Sequence, residues 1–159
     1  MQVTLNWYEA AMGSDIGRLR QLSSIKSGLV DAHGFSGAGW TEHIEGACGE
    51  IAVAKATGMF WDGSINSFSR PDLPGKVQVR TRSRDDYDLI VRSNDNDGDS
   101  FVLVTGRCPH YTVRGWIPGT EAKKEEFRQA YGGRESAFFV PQSKLRCLSN
   151  LPSPSPSSH

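Results

Sequence analysis

Arg70–Arg82 reads RPDLPGKVQVRTR, and the fold turns on how this stretch is read. Pro71-Asp72 and Pro74-Gly75 make its first half a turn. Val77–Arg82 alternates apolar and polar residues, the period of a half-buried strand. Val77 and Val79 then face a core, while Gln78, Arg80 and Arg82 share the opposite face. Arg84 continues the spacing, so three guanidinium groups recur at every second residue. Such a stripe either grips phosphates or forms a solvated polar face. A strict two-residue Pro-Gly hairpin would turn Asp72 away from Gln78. A bulge or longer loop around residues 73–76 is needed to bring both side chains to one place.

Toward the N-terminus, Gly46–Gly58 reads GACGEIAVAKATG, small and apolar on nearly every side and bounded by glycines. This predicts a helix buried over most of its circumference. Between Ala47 and Thr57 only Glu50 and Lys55 are charged. A buried carboxylate needs compensation, either an arginine partner or a metal ion. Ser27–Trp40 (SGLVDAHGFSGAGW) reads as a glycine-rich loop. Leu5–Ser24 reads as a weak helix broken at Gly13, with Ser14 capping a short second helix through Leu19 and Leu22.

Toward the C-terminus, further strands are expected at residues 87–92, 101–105, 111–117 and 137–141, with another at 65–68. Ser93–Ser100 (SNDNDGDS) alternates Asp95, Asp97 and Asp99, but Gly98 is misplaced for a calcium loop and strands flank it. A solvated hairpin turn is expected there. Gly119–Gly133 predicts a surface helix with Thr120 as N-cap. Ser149–His159 (SNLPSPSPSSH) reads as a disordered tail.

The chain has 159 residues, enough for one packed domain, and a formal net charge of zero. Whole-molecule attraction to nucleic acid is therefore not indicated; only a local patch would serve. No apolar run approaches the roughly 20 residues of a membrane helix, and the first residues lack the pattern of a secretory signal. Cys48, Cys108 and Cys147 form no CxxC pair, and Cys108 with His110 supplies too few ligands for a metal site. A cytoplasmic protein is expected, with no membrane partner.

Pro71-Asp72, a gap, then Gln78-Val79-Arg80, with Glu50 on the preceding helix, resembles the signature of the PD-(D/E)XK, restriction-endonuclease-like superfamily. That signature is Pro-Asp, a gap, Asp or Glu, any residue and Lys, often with a helical Glu ahead of it. Residues 46–142, including VQVRTR, FVLVTGR, GWIPG and FFVPQ, are also similar to short phage and prophage proteins. Gln78 departs from the signature by offering an uncharged oxygen. Arg80 departs by keeping its proton, so it can steady charge but cannot serve as a base.

The resemblance implies a single α/β domain over residues 1–148, of α+β type, with its core at about 46–142. Its centre would be a mixed sheet of about five strands flanked by helices. It further implies a metal-dependent nuclease hydrolysing DNA phosphodiester bonds in a bacterial or phage-infected host cell. Glu50, Asp72 and Gln78 would be ligands to Mg²⁺ or Mn²⁺, with Arg80 completing the catalytic set. Arg80, Arg82, Arg84 and His43 would meet single- or double-stranded DNA, and a homodimer is left open. Two other readings stand beside it: a nuclease-fold DNA-binding module without catalysis, and a phage accessory protein that binds a host protein.

Overall fold

A computed structural model describes residues 1–28, 39–65, 70–130, 133 and 135–154. The strands are β1 (Gln2–Thr4), β2 (Val77–Arg82), β3 (Leu89–Arg92), β4 (Ser100–Arg107), β5 (His110–Pro118), β6 (Arg128–Gln129) and β7 (Ala137–Val140). The helices are α1 (Trp7–Lys26), α2 (Gly39–Thr57) and the single turn α3 (Gly119–Ala122). The fold is mixed α/β, but it contains two sheets instead of the one five-stranded sheet expected. One has the order β1-β5-β4-β2 and the other β3-β7-β6. β2 and β4 run parallel, and every other pair is antiparallel.

The split follows from the side-chain alternation. Val77 and Val79 of β2 join Val102 and Val104 of β4 in a core completed by Cys48, Ile51, Ala52 and Val53 of α2. On the reverse side, Phe101, Leu103 and Ile117 pack with Leu89, Val91, Phe138 and Val140 of the smaller sheet. The larger sheet is thus apolar on both faces, covered by helix on one and by sheet on the other. Because β3 and β4 belong to different sheets, Ser93–Ser100 is a crossover between layers and not the expected hairpin turn.

α1 is continuous, in contrast to the break expected at Gly13. Asn6, not Ser14, caps it: the Asn6 side chain accepts from the Glu9 amide, and Glu9 accepts from the Asn6 amide. Gly13 and Gly17 lie in the helix interior because α2 crosses there. A Cβ at Gly13 would stand 2.5 Å from Cys48 Sγ, and one at Gly17 would stand 2.4 Å from Ile44 Cα. Tertiary packing, not backbone breaking, explains both glycines. α2 begins at Gly39, seven residues before the apolar stretch that predicts it.

The expected helix over 119–133 shrinks to α3, a 3-10 turn at Glu125–Phe127 and β6. Ala122 and Phe127 are both buried in the inter-sheet core. Five residues apart on a helix they would diverge by about 140°, so the chain unwinds to bury both. Pro118, not Thr120, occupies the cap position, without a side-chain hydrogen bond. All but the first residue of the strand expected at 65–68, and most of the loop expected at 27–40, lie outside the described residues. The tail expected at 149–159 is partly packed. Leu151 is buried against the helix-side core, and Pro154 lies against the Pro74-Gly75 loop. The packed unit therefore extends past residue 148.

Candidate functional site

Two acids distant in sequence meet at the outer edge of β2. α2 lies along the Val79 and Thr81 face of that strand, so closely that a Cβ at Gly49 would fall 1.9 Å from Thr81 Oγ1. This contact sets the height of the next residue, Glu50. The loop before β2 supplies the second acid. Leu73 and Val77 exchange backbone hydrogen bonds across Pro74-Gly75-Lys76, with Gly75 and Lys76 both left-handed (φ 79° and 60°). This three-residue loop is the longer connection that the sequence called for. It carries Asp72 to the strand edge, where its Oδ2 accepts the Val79 amide at 2.8 Å.

Glu50 is buried, 4 % exposed. Its Oε2 accepts from Arg20 Nη1 at 2.7 Å and from Trp61 Nε1 at 3.3 Å. Arg20 is fixed in turn by the Ser64 carbonyl. Burial, followed by the neighbouring Asp72 carboxylate, pushes the Glu50 carboxyl up to about 8, against the opposing pull of Arg20. Arg20 is set against the Glu50 carboxylate, and the Asp72 carboxylate beside it favours a further positive charge there, a proton or a cation.

Gln78 and Arg80 do not join this pair. They lie on the opposite face of β2, and the acids of the crossover take them up. Gln78 Nε2 donates to buried Asp99 at 2.9 Å, and Arg80 pairs with Asp95 at 2.9 Å while lying over the Phe101 ring. The physical reason is the alternation itself: the face that meets α2 belongs to Val77, Val79 and Thr81, so residues 78 and 80 must point away. Of the four residues expected to form a catalytic set, Glu50 and Asp72 lie together, while Gln78 and Arg80 lie apart from them. Arg20 and Trp61 stand where Gln78 and Arg80 were expected, and the Thr81 hydroxyl is buried on the same face of the strand without a hydrogen-bond partner.

The expected phosphate contacts are dispersed as well. Arg82 donates to the Asp88 carbonyl and stacks on Tyr87, while exposed Arg84 pairs with Asp86. Arg84 also lines an open groove of about 680 Å³ with Thr105, Arg107 and His110, and neither acid of the pair reaches it. His43 is half-buried on α2, seven residues before Glu50 and so ~10 Å along the axis. Glu45 turns to other partners, accepting the Tyr111 hydroxyl and the Cys108 amide. Beside it, burial pushes the Cys48 thiol up to about 12.

Among the described residues, no group of three or more His, Cys, Asp and Glu is arranged to hold a metal ion. The chemistry of the donor set therefore decides the fit. Mg²⁺ is commonly held by one or two carboxylates, with water and substrate phosphate completing its shell. Two neighbouring carboxylates, one of them desolvated and paired with Arg20, suit that mode and do not suit a closed protein cage. No protein-family model, curated protein or solved structure matches this chain. No helix among the described residues is long and apolar enough to cross a membrane.

Proposed function

We propose that this chain is a metal-dependent nuclease acting on DNA, restriction-endonuclease-like in kind, with Mg²⁺ or Mn²⁺ taken by Glu50 and Asp72. The observation that carries the reading is the meeting of these two acids at the β2 edge, with Glu50 desolvated. A bound divalent cation would supply Lewis-acid polarisation of a phosphodiester and an activated water. Asp72 is held at the strand edge by the Val79 amide, beside Glu50. Arg20 holds Glu50 in place and keeps a fixed positive charge beside the pair, a role expected of Arg80 from the sequence. A guanidinium in this place steadies charge and does not act as a base.

The test is cleavage of labelled single- and double-stranded DNA with Mg²⁺, Mn²⁺ or EDTA, beside Glu50→Gln and Asp72→Asn. Metal-dependent cleavage lost in both variants supports the proposal. Intact substrate with every metal rejects it.

A second reading has its own support: Gln78 and Arg80 are spent on Asp99 and Asp95, and among the described residues no third acid, histidine or cysteine joins the pair. It is a DNA-binding module of the same kind without cleavage. Salt-sensitive DNA binding with no nicking favours this second reading.

A further inference from the structure

Among the described residues, one face of α1 has no partner. The glycine side of this helix, Gly13 and Gly17, packs on α2. The diametrically opposite side is an exposed stripe of Trp7, Tyr8, Ala11, Met12, Asp15, Arg18, Leu22, Ile25 and Lys26. Trp7 is 80 % exposed, Tyr8 54 %, Met12 47 %, Leu22 42 % and Ile25 57 %. A helix that is apolar on its outer as well as its inner side is one that is covered on both. These five side chains leave on the order of 600 Å² bare, at the upper end of what a monomer shows.

We infer that α1 is the twofold interface of a homodimer, packed antiparallel against α1 of a second copy. The sequence of the stripe is self-complementary about a point midway between Asp15 and Arg18. An antiparallel pair centred there sets Tyr8 against Ile25 of the second copy, Ala11 against Leu22, and Trp7 against Lys26, each contact occurring twice. At the centre, Asp15 of each copy meets Arg18 of the other. Among the described residues neither Asp15 nor Arg18 makes an ion pair within its own chain, so both are available. In a parallel pair the same stripe would set like charges side by side, which fixes the direction. Two copies together would bury roughly 1,200 Å², the lower bound of a specific interface, so a dimer of micromolar strength is expected.

The experiment is sedimentation equilibrium on the full chain, wild type beside Asp15→Arg, Arg18→Asp and the double exchange, with circular dichroism to confirm folding. Each single reversal should raise the dimer Kd about tenfold or more, by setting two pairs of like charges together, and the double exchange should restore it. A chain that stays monomeric at every concentration overturns the inference, as does a dimer indifferent to the single reversals. Failure of the double exchange to recover the dimer also overturns it, because the stripe would then be covered by something other than its own copy.

Discussion

Gly49→Ala tests the contact that sets Glu50 in place. The added Cβ would sit 1.9 Å from Thr81 Oγ1, 3.0 Å from its Cβ and 3.1 Å from its Cγ2. Turning Thr81 about χ1 brings round the methyl or the hydrogen, but its Cβ stays 3.0 Å away and the residue is stiff at that bond. α2 must therefore lift from β2 by about 1 Å or more to restore van der Waals distance. Alanine gains about 1 kcal/mol over glycine in helix propensity, against about 1–3 kcal/mol for overpacking. The net expectation is a loss of up to about 2 kcal/mol, up to about 8 °C in Tm for a chain of this size. Thr81→Ala alone removes a buried hydroxyl that has no partner. That offsets the lost methyl packing, and the change should stay within about 1 kcal/mol of wild type. In the double variant the clash with Oγ1 is gone, so the two substitutions should couple favourably by about 1 kcal/mol or more. Urea denaturation of all four proteins at one pH measures the cycle. A Gly49→Ala protein stabilised by its full propensity gain, with additive Thr81→Ala, would refute the close seam and the placement of Glu50 that depends on it.

Other outcomes follow from the same geometry. Glu50 has a folded-state value near 8 against 4.5 for the free side chain, so folding takes up a proton between those values. Its contribution is full below about pH 4.5 and is lost as pH rises through 8, on the order of a few kcal/mol. Stability of the wild type should therefore fall relative to Glu50→Gln over that window. Mg²⁺ at pH 8.5 should restore the wild type alone, and parallel curves would count against the acid pair. Gln78→Ala and Arg80→Ala should each cost about 1 kcal/mol in chemical denaturation by stripping partners from Asp99 and Asp95. Both should leave the Mg²⁺ response unchanged, and a lost response would place them back at the site. Asn6→Ala removes the α1 capping box and should lower Tm by the equivalent of about 1 kcal/mol.

Much of the fold was legible because the signals were local. β2 occupies the residues its alternation marks, and β3, β4, β5 and β7 fall within two residues of their expected bounds. The misreadings arose where distant contacts decide. Gly13 looks like a helix breaker until α2 is laid across it. Ala122 and Phe127 look helical until both are needed in the inter-sheet core. The acids of Ser93–Ser100 look like a solvated turn, yet they form the layer crossover that takes up Gln78, Arg80 and Lys123. Glu50 is marked in the sequence by a charge out of keeping with its apolar helix, and Asp72 only by its place in the Pro-Asp motif. The side chains that join them are not marked. Arg20 lies on a helix whose orientation no local pattern reveals, though the need of a buried Glu50 for a cation did signal that some arginine must arrive. Gln78 and Arg80 were grouped with the acids on spacing, and spacing does not say which face of β2 meets α2.

The bond from the Val79 amide to Asp72 has a consequence for association. β2 ends its sheet, and an outer strand with open amides is a template onto which another chain can add. Asp72 shields one of those amides, so the residue proposed to hold a cation also stoppers the sheet. Truncation to alanine would leave that donor bare and invite edge-to-edge aggregation, whereas asparagine keeps an acceptor oxygen of the same reach. Precipitation of an Asp72→Ala protein would speak about the sheet rim and not about metal.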